Sequence, residues 1–302
     1  MRSTRTVLAL SLAGALALTA CGGDDDTATT EPAASPTVNV GHVDEPLSNL
    51  LAEIYGQGME NAGVRVGRKD PAASMDALYD QLAAGSLQFV PDSTVSVLER
   101  FGVTEMPATT DEQIVAMEKA LPADESATLV SSATRTMVVA CRADVIDDNS
   151  VTNLTDLAKV AADVKLGATP GFETSPSFGL DDLNAAYSAE FTVTPAGDDD
   201  AAVVQAVVDG TVDCGVVSSL EPSITTSGLL PVTDDQAAAP VDAIVPVMQA
   251  IAATPEVSAV VTQINGLLTT DVLRALLVKV AAGEQSVDVI AKDWLASQSS
   301  SS

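Results

Sequence analysis

The chain has 302 residues, of which 46% are hydrophobic and only 3% are aromatic. Its 42 acidic residues outnumber the 14 lysines and arginines and give a formal net charge of −28. Because so negative a protein repels phosphate backbones and anionic lipid surfaces, we exclude nucleic acid as a partner. The length and apolar content allow one large or two medium hydrophobic cores.

The N-terminal segment predicts export and lipid attachment. Basic residues precede an apolar run from Val7 to Leu18, which is too short for a membrane span of about 20 residues. The residues that follow end at Cys21 in the pattern that lipoprotein signal peptidase recognises. We therefore predict a signal peptide over residues 1–21, lipid attachment at Cys21, a flexible tether over residues 22–37, and a location at the outer face of the bacterial cell membrane. An ordinary secretory signal with a chance cysteine is the alternative.

After the tether, β-branched segments alternate with amphipathic helical segments, which is typical of an α/β fold built from βαβ units. We predict early strands over residues 37–43, 64–69 and 87–90, and helices over residues 47–63 and 74–85. Later predicted strands cover residues 136–144, 164–170, 191–196, 211–218 and 242–248, with helices over residues 153–161, 179–187 and 199–209. The segment 255–298 has helical periodicity almost throughout.

A weak internal repeat indicates two similar halves. Residues 78–94 align with residues 203–219, and each copy consists of a helix, a glycine, a strand and two hydroxyl residues. These hydroxyl residues are Ser93 and Thr94 in the first copy and Ser218 and Ser219 in the second. In an open α/β sheet the carboxyl ends of strands face the ligand crevice, so each pair is expected on one wall of a cleft. A generic joint between helix, glycine and strand is the alternative.

The cysteines and the single histidine limit the chemistry. Cys141 and Cys214 form an even pair in an exported chain, which predicts either a disulfide or two buried free thiols. His42 follows the first predicted strand and is a candidate for the cleft, with a surface role as the alternative. One histidine without a Cys/His cluster gives no reason to expect a metal site. The sequence has no GxSxG, GxxxxGK[ST], GxGxxG or HExxH motif, so we expect neither an enzyme nor a cofactor.

Five strings occur in an order that one protein family shares. They are SLQFVPDSTVSVL, NLTDLAKVAADVKLGATPGFETSPSFGLDDLNAAY, VVDGTVDCGVVSSLEP, LLPVTDDQAAAPVDAIVPVM and SVDVIAKDWLASQ. Together they resemble the lipid-anchored substrate-binding proteins of ABC importers for glycine betaine, choline and related osmoprotectants. The resemblance extends from Val38 to Trp294.

The resemblance implies a type II periplasmic-binding-protein fold, which is bilobed, with two α/β lobes joined by two crossover strands that close over a solute. It assigns residues 38–138 and 241–298 to lobe one and residues 139–240 to lobe two, and it leaves residues 299–302 as a disordered tail. Both cysteines would then lie in lobe two, where a bridge would not block hinge motion.

In the resembled family, aromatic rings hold a trimethylammonium group and an arginine holds the carboxylate. The positions that align with these groups carry Ser93, Met137, Ser175 and Asp242. Loss of the arginine, with Asp242 near Asp44 and Asp92, favours a cationic or polyol-like solute without a carboxylate; solvated surface acids are the alternative. The candidate ligand-binding residues are His42, Asp44, Asp92, Ser93, Thr94, Met137, Ser175, Ser218 and Asp242.

The implied function is that of a monomeric, lipid-anchored solute-binding subunit. It would capture a small solute and deliver it to the permease and ATPase subunits of an ABC importer. Two alternatives stay open: a surface lipoprotein with a degenerate pocket that serves as an interaction module, and a receptor for a different cationic or polyol-like solute.

Overall fold

A computed structural model describes residues 37–299 of the chain. The predicted signal peptide, Cys21, the tether up to residue 36 and residues 300–302 lie outside the described residues. Within the described range the elements form two five-stranded sheets with helices around them. Between residues 37 and 299, no helix combines the length and the apolar content that crossing a membrane requires.

The first part of the chain contains β1 (Val38–Val40), α1 (Pro46–Asn61), β2 (Val66–Arg68), α2 (Met75–Ala83), β3 (Phe89–Ser93), α3 (Thr94–Arg100), α4 (Thr110–Ala120) and β4 (Glu125–Ser126). The middle contains β5 (Met137–Cys141), α5 (Ala143–Asn149), α6 (Leu154–Ala158), β6 (Leu166–Ala168), a short 3-10 helix (Phe172–Thr174), α7 (Leu180–Tyr187), β7 (Val193–Pro195), α8 (Asp200–Val208), β8 (Cys214–Ser218), α9 (Pro222–Thr226) and β9 (Leu230–Val232). The last part contains β10 (Ile244–Gln249), α10 (Pro255–Leu267), α11 (Thr270–Ala282) and α12 (Val287–Ser299).

The two sheets have related topologies. The first has the strand order β2-β1-β3-β10-β4, and the second has the order β7-β6-β8-β5-β9. In each sheet a run of parallel strands meets one antiparallel strand, which is β10 beside β3 in the first sheet and β5 beside β8 in the second. This arrangement confirms the predicted two-lobed α/β architecture.

Glycines end two helices that the internal repeat relates. Gly85 follows α2 with φ +73°, and Gly210 follows α8 with φ +74°. Glycine adopts this left-handed conformation without a Cβ clash, and it therefore allows the chain to leave the helix and enter β3 or β8. At the other end of α2, the Ser74 hydroxyl caps the helix by accepting a hydrogen bond from the Ala77 amide at 3.2 Å.

Some segment bounds differ from the prediction. The segment 136–144 is not one strand, because β5 ends at Cys141 and α5 begins at Ala143. Arg142 between them is the N-cap of α5, and its guanidinium donates to the Val212 carbonyl at 2.8 Å. The second sheet already begins at Met137, although residue 138 was expected to end the first-lobe segment. Helix α12 includes Ser299, which was expected to start the tail.

Two paired segments connect the sheets, and we call residues 131–136 and 240–243 the crossover segments. Thr134 forms an antiparallel bridge with Ala243. Beside it, the Arg135 amide donates to the Asp242 carbonyl at 2.8 Å. The hydroxyl of buried Thr94 accepts from the Ala243 amide at 3.1 Å and so ties the second crossover segment to the start of α3. The two lobes are therefore connected by a hydrogen-bonded pair of segments rather than by a loose linker.

Each sheet has its own hydrophobic core. In the first, the Tyr55 and Phe89 rings pack with centroids 5.3 Å apart, and Trp294 of α12 joins the same cluster. The helical C-terminus thus packs back on the first lobe. In the second, the Phe172 and Phe178 rings pack edge to face at 6.0 Å.

A disulfide joins the two cysteines within the second sheet. Cys141 in β5 lies directly opposite Cys214 in β8, and both side chains are buried. The bridge links positions separated by 73 residues. It therefore restricts the unfolded chain of the second lobe without touching the crossover segments.

Replacing both Cys141 and Cys214 with alanine should lower the free energy of unfolding by about 2–4 kcal/mol, because the unfolded chain regains its loop entropy. Equilibrium denaturation with and without a thiol reductant measures this loss. Reductant should destabilise the wild type and leave the double variant unchanged. If reductant left the unfolding midpoint of the wild type unchanged, this result would contradict a disulfide between Cys141 and Cys214.

Candidate functional site

A cleft of about 1110 Å³ opens between the two sheets beside the crossover segments. On one side it is lined by the start of α1 and by α11; the other wall consists of the start of α8 and the segment from Ser218 to Ser223 after β8. A smaller recess of about 70 Å³ shares Glu45, Leu47 and Arg135 with the cleft and reaches Asp92 and Ser96. Both lobes and one crossover segment thus contribute to a single site.

Arg135 occupies the floor of the cleft. Its Nε lies 3.2 Å from Oδ2 of Asp242 on the other crossover segment. The Asp242 side chain is only 13% exposed, whereas that of Arg135 is 44% exposed. With the residues between 37 and 299, Nη1 and Nη2 of Arg135 make no hydrogen bond. Asp242 therefore orients the guanidinium, and the two terminal nitrogens are available to a ligand.

Asp242 and Asp92 are buried carboxylates near this guanidinium. Asp242 also accepts from the Val95 amide at 2.9 Å, and Asp92 accepts from the Tyr79 hydroxyl at 2.7 Å and from the Ser93 amide at 2.8 Å. Burial raises the pKa of both carboxyl groups above the ordinary value. The Arg135 charge lowers both pKa values but does not outweigh burial.

Four acids of the second lobe line the cleft: Asp198, Asp199, Asp200 and Glu221. Oδ2 of Asp200 accepts from the Ser218 amide at 2.8 Å, and Oε1 of Glu221 accepts from the Ser223 amide at 2.9 Å and its hydroxyl at 2.6 Å. Burial is the main cause that raises the pKa of Asp200; the Glu221 charge raises it further, and the Arg135 charge lowers it. Negative charge on this wall is therefore only partly compensated.

A family model described as the substrate binding domain of ABC-type glycine betaine transport systems matches residues 36–297. The chain belongs to this family. Among solved structures, apo YehZ from Escherichia coli is 21% identical with a TM-score of 0.72, over 87% of this chain and 98% of that one. A glycine betaine/carnitine/choline ABC transporter structure is 17% identical with a TM-score of 0.75, over 86% and 98%. No curated protein sequence matches the chain.

Lactococcal OpuAC in its closed form with glycine betaine is 14% identical, with a TM-score of 0.54 over 87% of this chain and 96% of that one. At these identities the structures establish the fold, which is the bilobed periplasmic-binding-protein fold predicted from the sequence. The cleft lies between the two sheets, beside the crossover segments that connect them.

Some predicted residues of the binding protein meet at this cleft. Ser218 lines it, Asp92 lines its recess, and Asp242 contacts Arg135 on its floor. Ser93 is buried beside Asp242, but its hydroxyl makes no hydrogen bond of ordinary geometry to any described residue.

Other predicted residues lie elsewhere or serve the fold. Thr94 is fully buried and holds the second crossover segment. Met137 packs against the core of the second sheet, and Ser175 accepts from the Phe178 amide at 3.5 Å beside the 3-10 helix. Asp44 lines a neighbouring groove of about 360 Å³, and the His42 carbonyl accepts from the Ala72 amide.

Sequence reasoning missed Arg135, Asp200 and Glu221. The arginine position of the resembled family aligns with Ser175, whereas the structure supplies a guanidinium from Arg135 on a crossover segment. Arg135 is one of only 14 basic residues in a chain with 42 acids, and it directly precedes a predicted strand. The sequence signal for Arg135 was therefore a scarce basic residue directly before the predicted strand 136–144.

The buried carboxylates predict a specific pH dependence. A carboxyl group whose pKa is raised on folding binds its proton more tightly in the folded state, so stability falls as pH rises above the ordinary value of 3.8. Lowering the pH from neutral towards 3.8 should therefore relieve the destabilisation that the buried Asp92 carboxylate causes. Asp92→Asn should flatten this dependence, because the amide oxygen can still accept from Tyr79 but cannot titrate.

Thermal or denaturant unfolding across this pH range measures the slope. Asp163→Asn, at an exposed position of the second lobe, removes the same charge and should keep the wild-type slope. Equal slopes in the wild type and in Asp92→Asn would show that Asp92 carries no raised pKa.

Proposed function

We propose that the protein is the solute-capturing subunit of an ABC importer and that its solute binds between the two lobes on Arg135. The observation that supports this proposal is the charged cleft of about 1110 Å³ at the crossover segments of a chain that belongs to the glycine betaine transport family. Nη1 and Nη2 of Arg135 form a fork that matches a carboxylate or another pair of acceptor oxygens.

In this proposal the two lobes capture the solute by closing over it. The α1 side of the cleft belongs to the first lobe, and the Asp200 side belongs to the second. A solute that contacts both sides and the crossover floor binds the closed form better than the open form, and it therefore shifts the population towards closure. The hydrogen-bonded crossover segments bend as a pair and keep Arg135 in register with Asp242.

Delivery follows from the membrane setting that we propose. Cleavage before Cys21 and acylation of that residue would hold the binding protein at the outer face of the cell membrane, where the permease is embedded. The supporting observations are the apolar run and the residues before Cys21, and family membership. The closed, loaded form would then dock on the permease, and the ATPase subunits would drive release and transport.

Solute binding should raise the melting temperature. At a concentration of about 100 times Kd, a ligand that binds only the folded state should raise it by roughly 5–10 °C. A suitable panel contains glycine betaine, choline, carnitine, proline, ectoine and putrescine, tested on protein stripped of carried-over solute. Arg135→Gln should abolish the shift, and Lys292→Gln, at an exposed position of α12, should retain it. No shift with any solute of the panel at millimolar concentration would contradict capture and favour an interaction module.

The anchor has its own test. Cys21→Ser should move the protein from the membrane fraction to the soluble fraction, because serine cannot carry the thioether-linked lipid. Fractionation and immunodetection measure the change. Cys141→Ala provides the matched control, since it removes a cysteine of the folded body and should leave the protein with the membrane. Membrane association that survives Cys21→Ser would refute the proposed anchor.

A further inference from the structure

We propose that Ser219 and Leu220 form a third connection between the two lobes, in addition to the two crossover segments, and that Arg274 holds this connection in place. Arg274 is then a positioning residue, which limits how far apart the lobes stand in the solute-free protein without contacting the solute. The connection lies in the segment that joins β8 to α9. Only its consequence for solute affinity rests on the proposed function.

Leu220 belongs to the second lobe by its position in the chain but is buried in the core of the first. It is 3% exposed and lies in the same hydrophobic cluster as Ala133 of the first crossover segment and Leu277 of α11. Ile224 of α9, only one helical turn further on, is buried in a different cluster, together with Val203 of α8. A short segment that is buried in both lobes opposes their separation, because pulling either end out would expose apolar surface to water.

Hydrogen bonds attach Ser219 to the first crossover segment. Its amide donates to the Thr136 carbonyl at 2.9 Å, and its hydroxyl donates to the Thr134 carbonyl at 3.3 Å. The Thr134 amide in turn donates to the Thr270 hydroxyl at the start of α11, at 2.9 Å. The end of β8, the first crossover segment and the start of α11 therefore form one hydrogen-bonded unit.

Arg274 closes this unit from the next turn of α11. Its Nε donates to the Ser219 carbonyl at 2.9 Å, and its Nη1 pairs with Oδ1 of Asp271 at 3.0 Å. The Arg274 side chain is 28% exposed, and a hydrogen bond from a charged donor is stronger than one between neutral groups. Of the described residues, Leu220 and Leu277 line the cleft, whereas Arg274 does not. Arg274 can therefore affect solute binding only through the segment that it holds.

The contact between the lobes extends beyond these hydrogen bonds. Helix α9 packs against α11, and residues of both helices line the cleft. Arrangements of the lobes that break this contact are therefore disfavoured, and the solute-free protein samples a narrower range of separations. A narrower range leaves a larger fraction of the protein ready to close, which raises the apparent affinity for the solute.

Distances between spin labels test the connection without any solute. The labels are attached through Lys69→Cys in the first lobe and Asp163→Cys in the second, both at exposed positions, in the full chain carrying Cys21→Ser. Arg274→Met keeps an apolar stem but removes the donor, and Leu220→Ala removes most of the buried side chain. Each change should broaden the distance distribution and extend it to longer distances.

Matched controls separate the connection from general effects on charge and stability. Lys279→Met removes a cation from an exposed position of the same helix, and Leu229→Ala truncates a leucine that is buried in the second-lobe cluster of Ile224. Both controls should keep the wild-type distribution. Arg274→Lys retains a charged donor and should give a narrower distribution than Arg274→Met.

The consequence for affinity is measured by isothermal titration with the solute that raises the wild-type melting temperature most. Arg274→Met should weaken binding by about three- to tenfold, because a smaller fraction of the protein has its lobes placed for closure. Lys279→Met should bind as the wild type does.

The outcomes decide the connection separately from the proposed function. Distance distributions that stay unchanged in both Arg274→Met and Leu220→Ala, or an equal broadening in Leu229→Ala, would overturn the third connection. An unchanged distribution in Arg274→Met alone would overturn the role of Arg274. Failure of every solute to bind would count against the proposed function, and the distances in solute-free protein would still decide the connection.

Discussion

The ion pair between Arg135 and Asp242 joins the two crossover segments and forms the floor of the cleft. Because Asp242 is largely removed from water, this pair is screened less than a surface pair, and loss of either partner would leave a buried or half-buried charge without compensation. The same carboxylate accepts from the Val95 amide at the start of α3, a position that favours negative charge. Asp242 thus links the second crossover segment to the first lobe and to the Arg135 guanidinium.

Most of the excess negative charge lies in solvent and concerns solubility, but the acids around the cleft behave differently. Burial raises the pKa of Asp92, Asp200 and Asp242, so each carries a desolvation cost that a nearby cation reduces. Arg135 is the cation that lowers the pKa of all three carboxyl groups, and it therefore offsets part of this cost.

The sequence predicted the fold more completely than the site. Alternating segments, the helix stops at Gly85 and Gly210 and the related hydroxyl pairs are local signals, and the structure contains the corresponding helices and strands. Helices α3 and α4 lie in a stretch for which no element was predicted. The contacts in the site join residues that are far apart in the chain, such as Arg135 and Asp242. The hydrophobic periodicity of a sequence predicts helices and strands but not which distant side chains meet. Alignment by family position pointed to Ser175, while the guanidinium comes from another element.

The central claim is that solute binding at Arg135 draws the two lobes together. The most direct test is the distance distribution between spin labels placed at exposed Lys69 in the first lobe and exposed Asp163 in the second, in a soluble form that lacks Cys21. The account predicts a shorter distance when the tightest-binding solute is added to the wild type, and no change with Arg135→Gln. An unchanged distance in wild-type protein saturated with that solute would contradict the account.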